Sequence, residues 1–255
     1  MTNDVQILNN GYPMPAVGLG VYKIADEQME EVVRTALDAG YRAFDTAYFY
    51  GNEKALGSAL KHSNVERDEL FITSKLWNDY QGYDQTIEYF NKSLDNLGLD
   101  YLDLFLIHWP CENDQLYIES YKALEHLYEE GKIKAIGVCN FKIHHLEKLM
   151  KETKITPQVN QIELHPYFNQ QDVQDFCDEH DIKVTAWMPL MRNKGLLDDP
   201  VITDIAHRYD KTPAQIVLRW HLAHNRIIIP KSQTPKRIKE NFDIFDFNLE
   251  LTDVA

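Results

Sequence analysis

Short apolar segments alternate with amphipathic helical segments along almost the whole chain, and this alternation constrains the fold more than any other feature. The apolar segments lack polar alternation, which is typical of parallel strands covered on both faces. They comprise residues 43–45, 70–75, 102–107, 135–139, 158–162, 182–187, 227–229 and, more weakly, 245–247. Eight βα repeats in one chain predict an α/β protein, a (β/α)8 TIM barrel.

Helical patterns fill the intervals between these strands. The apolar residues from Met29 to Leu37 fall on one helical face, and Gly40 supplies the stop. Similar stripes lie at residues 87–97, 121–128 and 143–150. Thr212-Pro213 is typical of a helix start, with a cap followed by proline in the first turn.

A doubly wound sheet is the rival fold, and it would usually bring a glycine-rich dinucleotide loop. The segment from Gly18 to Lys23 has the first two glycines of that loop, at Gly18 and Gly20, but Lys23 stands where the third should be. The segment also precedes the first strong helix by several residues instead of opening it. We therefore reject the doubly wound interpretation.

Length and composition favour one domain. The chain has 255 residues, 44% of them hydrophobic, which suffices for one large core. No linker rich in proline, glycine or serine divides it, so we expect a single domain over residues 1–255. The apolar runs are short, and no basic region followed by an apolar stretch opens the chain. The sequence therefore predicts neither a membrane span nor a secretory signal.

Charge and cysteine content restrict the partners and the compartment. A formal net charge of −14 argues against general binding to nucleic acid or anionic membranes. Three cysteines are too few and odd in number for a disulfide framework, and their spacing fits no zinc site, so we expect a reducing cytoplasm. His144-His145 and the pair His221 and His224 lack accompanying ligands, so we expect no metal. Nothing signals oligomerisation, and we expect a monomer.

A polar or aromatic residue ends or directly follows nearly every predicted strand. A barrel of this kind carries its chemistry at the carboxyl ends of its strands. The residues at those ends are Asp45, Lys75, His108, Asn140, Gln161, Trp187 and Lys231-Ser232. One such residue is explained by a cap, but seven positions in register predict a shared site.

Four side chains suit proton transfer to a carbonyl oxygen. Tyr50 is a poor acid near neutrality, but an ammonium such as that of Lys75 lowers the pKa of a phenol. Asp45 would hold Lys75 charged, and His108 would hydrogen-bond a substrate oxygen. A structural ion pair of Asp45 with Lys75 and a packed turn at His108 are the alternatives, and the combination of all four favours the chemical interpretation.

One stretch of this acidic chain is basic. Residues 226–239 contain basic residues and no acid until Glu240. An apolar run ends at Pro230 and is followed by Lys231, Ser232 and then Arg237. Cations and a hydroxyl beside backbone amides suit a bound phosphate. The alternative is a solvated basic turn.

Three long motifs, in order, resemble the aldo-keto reductase family, and the match runs over residues 11–247. The first motif reads Asp45-Thr-Ala-x-x-Tyr50-x-Asn-Glu53-x-x-Leu-Gly57. The second covers residues 133–141. The third is Ile229-Pro-Lys-Ser232 with Arg237 and Asn241. Residues 186–190 resemble the bacterial branch of 2,5-diketo-D-gluconate reductase-like enzymes.

The resemblance implies an NADPH-dependent carbonyl reductase on a TIM barrel whose bottom is closed by an N-terminal β-hairpin. The family's catalytic tetrad falls on Asp45, Tyr50, Lys75 and His108. Its cofactor contacts fall on Asn140 and Gln161 for the nicotinamide amide, Trp187 for the ring, Lys231, Ser232 and Arg237 for the 2′-phosphate, and Glu240 and Asn241 near adenine. A substrate pocket is expected between Tyr22, Phe49, Trp77 and Trp109, although each also suits ordinary core.

Two departures from the family pattern bear on specificity. Cys139 stands where the family usually has serine beside the nicotinamide contact, and a thiol is a weaker hydrogen-bond partner. The chain ends at Ala255, before the family's usual tail, which borders the substrate pocket. We therefore expect the substrate selectivity to be less defined than the cofactor.

The expected reaction is hydride transfer from NADPH to a small aldehyde or ketone, with Tyr50 as the general acid. One alternative keeps the barrel but makes Lys75 a Schiff-base nucleophile in an aldolase-like lyase. Another treats the chain as a cofactor-binding interaction module with little turnover.

Overall fold

The structure, a computed structural model, describes residues 4–255 and shows a barrel of parallel strands. An antiparallel hairpin of β1 (Val5–Ile7) and β2 (Pro13–Pro15) comes first. The barrel strands follow, in the order in which they lie side by side: β3 (Gly18–Gly20), β4 (Ala43–Asp45), β5 (Phe71–Leu76), β6 (Leu102–Ile107), β7 (Ile133–Cys139), β8 (Val159–Glu163), β9 (Lys183–Trp187) and β10 (Ile227–Ile228).

The barrel closes between its first and last strands. Val17 pairs with Ile228 in parallel, the Ile228 N–H donates to the Ala16 carbonyl at 2.9 Å, and the Gly20 N–H donates to the Pro230 carbonyl at 3.2 Å. These contacts join residues at opposite ends of the chain. The predicted TIM barrel is confirmed.

Helices alternate with the strands and cover the outside of the barrel. They are α1 (Asp26–Ala39), α2 (Glu53–His62), α3 (Tyr83–Leu97), α4 (Asp114–Glu129), α5 (Ile143–Glu152), α6 (Gln171–Glu179), α7 (Pro200–Tyr209), α8 (Pro213–Ala223), α9 (Pro235–Phe242) and α10 (Leu251–Val254). Helix α1 buries Met29 and Leu37 as predicted and ends at Gly40, whose φ of 112° suits glycine. Helix α8 begins with the predicted cap, in which Thr212 and Gln215 bond reciprocally.

One strand prediction was wrong. Residues 245–247 form no strand; Phe245 packs against Phe242 of α9 and Phe247 against Tyr209 of α7. The missing strand is instead Gly18–Gly20, which the sequence analysis considered only as a partial match to a glycine-rich loop and did not assign to a strand. Its glycines fit a tight site, because a Cβ at Gly20 would lie 2.9 Å from the Ile229 carbonyl oxygen.

The core has an inner and an outer layer. Inside the barrel, side chains such as Leu104, Leu106 and Val159 pack with Leu8 and Met14 from the hairpin region. The hairpin therefore covers the amino-terminal end of the barrel, as expected from the family resemblance. The outer layer lies between the strands and the helices. The functional site is therefore expected at the carboxyl-terminal end of the barrel strands.

Candidate active site

The carboxyl ends of the strands open into a cavity of about 820 Å³. All but one of the residues predicted for the site line it: Tyr22, Asp45, Phe49, Tyr50, Trp77, His108, Trp109, Asn140, Gln161, Trp187, Lys231, Ser232, Arg237, Glu240 and Asn241. The exception, Lys75, lies beneath the cavity floor with 1% of its side chain exposed. The structure therefore brings the sequence-predicted residues together.

Lys75 is the hub of the polar network. Its ammonium donates to Asp45 Oδ1, to the Thr46 carbonyl at 2.9 Å and to the Tyr50 hydroxyl at 3.3 Å. These three acceptors match the three N–H donors of an ammonium. Burial opposes the charged form, but the charge and hydrogen bond of Asp45, together with the neighbouring Tyr50 and Cys139, outweigh it and raise the pKa of Lys75 above its ordinary value. Lys75 is therefore a cation at neutral pH.

Tyr50 sits on a 3-10 turn (Tyr48–Tyr50) directly after β4. Burial raises its pKa, and the charge of Lys75 offsets this only in part, so the pKa lies above that of free tyrosine. The prediction that Lys75 lowers the Tyr50 pKa holds for the direction of that one interaction, but it is wrong for the net shift. Burial removes the water that would stabilise the phenolate form of Tyr50. This loss is larger than the stabilisation that the Lys75 ammonium, 3.3 Å away, provides.

His108 follows β6 and faces Tyr50, with 5.8 Å between the ring centroids. Burial, and secondarily the charge of Lys75, lower the pKa of His108 to about 3. The imidazole is therefore neutral at physiological pH, with one ring nitrogen as donor and the other as acceptor. Its Nδ1 is buried and has no hydrogen-bond partner within the described residues.

Two amide side chains tie the strand ends together. Asn140, at a φ of 62° that asparagine tolerates, accepts from Trp187 Nε1 at 2.9 Å and donates to the His108 carbonyl at 3.1 Å. Gln161 Nε2 donates to Asp45 Oδ2 at 2.9 Å. Both amides thus border the cavity while they are held by protein partners.

The other end of the cavity is basic. Lys231 and Arg237 form no ion pair with an acidic side chain in the part of the chain that the structure describes. Ser232 is 8% exposed, and its Oγ accepts from the Thr234 N–H at 3.1 Å. Asn241 is also buried. Lys231 and Ser232 precede α9 and Arg237 lies in its first turn, where a phosphate would meet cations, a hydroxyl and helix N–H groups.

An aromatic wall lines the side of the cavity next to the tetrad. Phe49 stacks on Trp77 with ring centroids 3.8 Å apart, and Tyr22 lies 4.9 Å from Tyr50. Phe49 and Trp109 remain 51% and 39% exposed, which is unusual for rings of ordinary core. Tyr22 therefore lies beside Tyr50, and the Trp77 ring lies 5.3 Å from the His108 ring.

Sequence reasoning missed the residues that hold the tetrad loop. Asn52 is buried, accepts from Thr46 Oγ1 at 2.8 Å and donates to the Val21 carbonyl at 2.8 Å. Glu53 accepts from Ser74 at 2.7 Å, next to Lys75. Asn52 and Glu53 stood in the first motif without an assigned role. Two polar residues at the start of a helix do not by themselves indicate that their side chains are buried.

Comparison with known proteins identifies the family. The sequence profile of the Aldo/keto reductase family matches residues 16–255. The chain belongs to this family. This aldo/keto reductase is 50% identical to the glyoxal reductase of Bacillus subtilis over 252 residues, or 98% of this chain and 90% of that protein. It is 49% identical to the methylglyoxal reductase DkgA of Escherichia coli O157:H7 over 244 residues, or 95% and 88%.

Solved structures show the same fold. An aldo/keto reductase from Brucella melitensis superposes with a TM-score of 0.95 at 49% identity, covering 98% of this chain and 96% of that one. A mutant of Gox0644 in complex with NADPH gives a TM-score of 0.93 at 44% identity, covering 98% and 90%. The barrel is therefore that of an aldo/keto reductase.

Proposed function

We propose that this aldo/keto reductase reduces small aldehydes and ketones to alcohols with NADPH, and that Tyr50 is the general acid. The observation that carries the proposal is the convergence of Tyr50, Lys75, Asp45 and His108 at one end of a cavity whose other end is cationic. A neutral donor beside a buried ammonium suits a reaction that develops negative charge on an oxygen.

The chemistry of the cavity lining suits a phosphorylated dinucleotide. Lys231, Ser232 and Arg237 would hold the 2′-phosphate, because their charges and hydroxyl have no acidic partner among residues 4–255. Asn140 and Gln161 would meet the nicotinamide amide, and Trp187 would lie against the ring. Glu240 and Asn241 would border adenine. When bound, the reduced nicotinamide supplies the hydride.

The residues of the chain would supply the proton and the orientation. A carbonyl oxygen placed between Tyr50 and His108 could accept hydrogen bonds from both, which would orient the carbonyl group. Tyr50 then donates its proton as negative charge develops on that oxygen. Lys75 stabilises the resulting phenolate, and Asp45 keeps Lys75 charged. The carboxylate, ammonium and phenol thus act as one unit.

The aromatic wall favours small carbonyl compounds with little hydrogen-bonding capacity away from the carbonyl. Tyr22, Phe49, Trp77 and Trp109 offer mainly ring surface. The names of two relatives, glyoxal reductase and methylglyoxal reductase, point to α-dicarbonyls as substrates of those proteins. We propose that this chain accepts the same class.

Replacement of Tyr50 by phenylalanine tests the proposal. We expect Tyr50→Phe to bind NADPH normally and to reduce methylglyoxal about 10²–10⁴-fold more slowly, because only the proton donor is lost. Tyr48→Phe is the matched control, since Tyr48 lies on the same turn but packs on Tyr80 and Tyr89. Near-normal turnover of Tyr50→Phe would remove Tyr50 from the mechanism.

The two rival functions have less support. A Schiff-base lysine must be neutral to attack, whereas Lys75 has a raised pKa and donates to three acceptors. Borohydride would therefore trap no substrate on Lys75. A binding module without turnover would not need the four convergent groups, and a simple assay with NADPH and methylglyoxal distinguishes it.

We further infer a monomer that acts in the reducing cytoplasm. Cys111, Cys139 and Cys177 are all free thiols, which suits a reducing compartment. Within residues 4–255 every helix is too short or too polar to cross a bilayer. Light scattering of the purified protein would test the monomer.

A further inference from the structure

His221 is a fully buried histidine that the proposed mechanism does not use. It lies on α8, and both nitrogens of its ring have protein partners. The Nε2 is 3.1 Å from the Pro189 carbonyl oxygen, and the Nδ1 is 3.3 Å from Arg226 Nη1. The imidazole therefore joins the loop that follows β9 to the segment that enters β10.

The chemistry of the two partners fixes the state of the His221 ring. A carbonyl oxygen only accepts hydrogen bonds, and a guanidinium only donates them. Nε2 therefore carries the proton and donates to Pro189, while Nδ1 accepts from Arg226. A protonated imidazole could not accept from Arg226, so the arrangement requires a neutral ring. Burial, and then the charge of Arg226, hold the pKa of His221 well below its ordinary value, in agreement with this state.

The loop that His221 contacts has an uncommon backbone. Four of its non-glycine residues have φ between 50° and 56°: Met188, Met191, Arg192 and Asn193. The residue before a proline favours an extended conformation, so the left-handed Met188 is unfavourable twice over. Such conformations persist only where neighbouring groups hold them. Because proline has no N–H, the carbonyl is the one backbone group through which Pro189 can be held, and His221 binds it.

The same loop forms a wall of the cavity near its basic end. The residues of this loop that line the cavity include Met188, Pro189, Leu190, Arg192 and Asn193. Lys231 lies close enough to the loop that, after burial, the charge of Arg192 lowers the pKa of Lys231. The conformation of the loop therefore determines the shape of the cavity where the cofactor is proposed to bind.

We propose that His221 is a positioning residue for cofactor binding, which holds the loop after β9 in its binding conformation through the Pro189 carbonyl. The inference rests on the proposed function, because it concerns how the cavity receives NADPH. His221 is not among the described residues that line the cavity, so it acts through the loop. Without this hydrogen bond the loop would populate other conformations, and the apparent Kd would rise as the competent fraction falls. The chemical step would not change once the cofactor is bound.

The test compares His221→Gln with His221→Asn, which introduce the same amide group. A glutamine amide can place an N–H near the position of Nε2, whereas an asparagine amide reaches only the position of Nδ1. We expect His221→Asn to raise the Kd for NADPH about 3–10-fold, the loss of one hydrogen bond, and His221→Gln to stay within about twofold of the wild type. Fluorescence titration measures this Kd. At saturating NADPH, the kcat and the KM for methylglyoxal should stay within about twofold in both variants.

Tyr121→Phe is the matched control for a loss of stability alone. Tyr121 is fully buried and donates to the Ile155 carbonyl at 2.7 Å, outside the cavity. This variant should lower the thermal stability about as much as His221→Asn but leave the NADPH Kd unchanged. Hydrogen exchange of the cofactor-free proteins gives a second readout. The N–H groups of Met191 and Asn193, which bond within the loop, should exchange about 3–10-fold faster in His221→Asn only.

Several results would overturn the inference. Equal NADPH Kd values for His221→Asn and His221→Gln, or a rise that Tyr121→Phe reproduces, would make His221 a packing residue. A raised Kd with unchanged exchange in the loop would show that the effect does not act through Pro189. If His221→Asn does not fold, His221→Gln decides, because its Kd and its loop exchange must change together or not at all.

The proposed function fails separately from this inference. A wild type that binds NADPH but reduces no carbonyl compound would refute the proposed reaction, and the Kd and exchange values would still decide the role of His221. A wild type that does not bind NADPH would refute both.

Discussion

The buried ion pair beneath the cavity makes a quantitative prediction for Asp45→Asn. Lys75 is 1% exposed and Asp45 is 6% exposed at the side chain, so neither charge is screened by solvent. The asparagine keeps the shape of Asp45 but leaves the ammonium without a counter-charge. Removal of one partner of a buried pair typically destabilises a protein by about 3–5 kcal/mol. The variant can also avoid the unpaired charge by deprotonating Lys75, which costs about 5 kcal/mol at pH 7. This cost sets an upper limit on the loss of stability.

Urea unfolding at two pH values measures this effect. In the variant, the pKa of folded Lys75 lies below its unfolded value of about 10.4. A lowered lysine pKa destabilises the fold below the unfolded pKa, and the loss disappears as the pH rises towards it. We therefore expect a free energy of unfolding lower by about 3–5 kcal/mol at pH 7 and a smaller deficit at pH 9.5. Reduction should be abolished at both.

Two matched variants separate charge from packing. Asp45→Asn combined with Lys75→Met removes the orphan charge and should recover much of the stability without activity. Glu88→Gln breaks the exposed pair with Lys92 and should change stability by less than about 0.5 kcal/mol. A loss below about 1 kcal/mol in Asp45→Asn, or a double variant no more stable than the single one, would contradict the described electrostatics.

Three further predictions concern other parts of the molecule. Arg237→Ala should raise the Kd for NADPH about tenfold and leave that for NADH unchanged at fixed salt; equal affinities of the wild type for the two would refute the 2′-phosphate assignment. The pKa of His108 is lowered to about 3, so only the unfolded state gains this proton as the pH falls from 6.5 to 5. The free energy of unfolding of the wild type should therefore fall by about 1–2 kcal/mol over that range. His108→Gln should make this pH dependence weaker in urea unfolding. Gly57→Ala should destabilise the protein by at least about 2 kcal/mol, because its Cβ would lie 2.3 Å from the Leu97 carbonyl oxygen. Ser58→Ala, exposed on the same helix, is the control and should be neutral in thermal unfolding.

Most of the barrel could be predicted from the sequence because buried parallel strands consist of runs of apolar residues. It failed where a strand is made of other residues. Gly18–Gly20 has little apolar surface, and one of its two edges bonds to a carbonyl more than 200 residues away, that of Pro230. Residues 245–247 have the aromatic alternation of a strand, but their rings serve to pack helices. Local composition does not predict whether either segment forms a strand, because the hydrogen bonds of a strand come from tertiary partners.

The same error hid part of the site. Once Gly18–Gly20 is a barrel strand, Lys23 lies just after a strand end, where chemistry is expected. Arg192 had no comparable signal. Its place at the cavity depends on left-handed backbone at three successive non-glycine residues, which the sequence does not reveal. The convergence of Asp45, Tyr50, Lys75 and His108 was predictable because these residues lie at or after the ends of recognisable strands.

The raised pKa of Tyr50 changes the role of Lys75 rather than removing it. Sequence reasoning gave Lys75 the task of making Tyr50 a stronger acid in the resting enzyme. Burial prevents that, and Tyr50 keeps its proton at neutral pH. A general acid needs its proton until negative charge develops on the substrate oxygen, and an alkoxide is a far stronger base than a phenolate. The ammonium 3.3 Å away then interacts with a full phenolate charge in a site that excludes water, where such interactions are strongest. In the proposed mechanism Lys75 would therefore contribute mainly in the transition state, which is the condition under which an interaction accelerates a reaction.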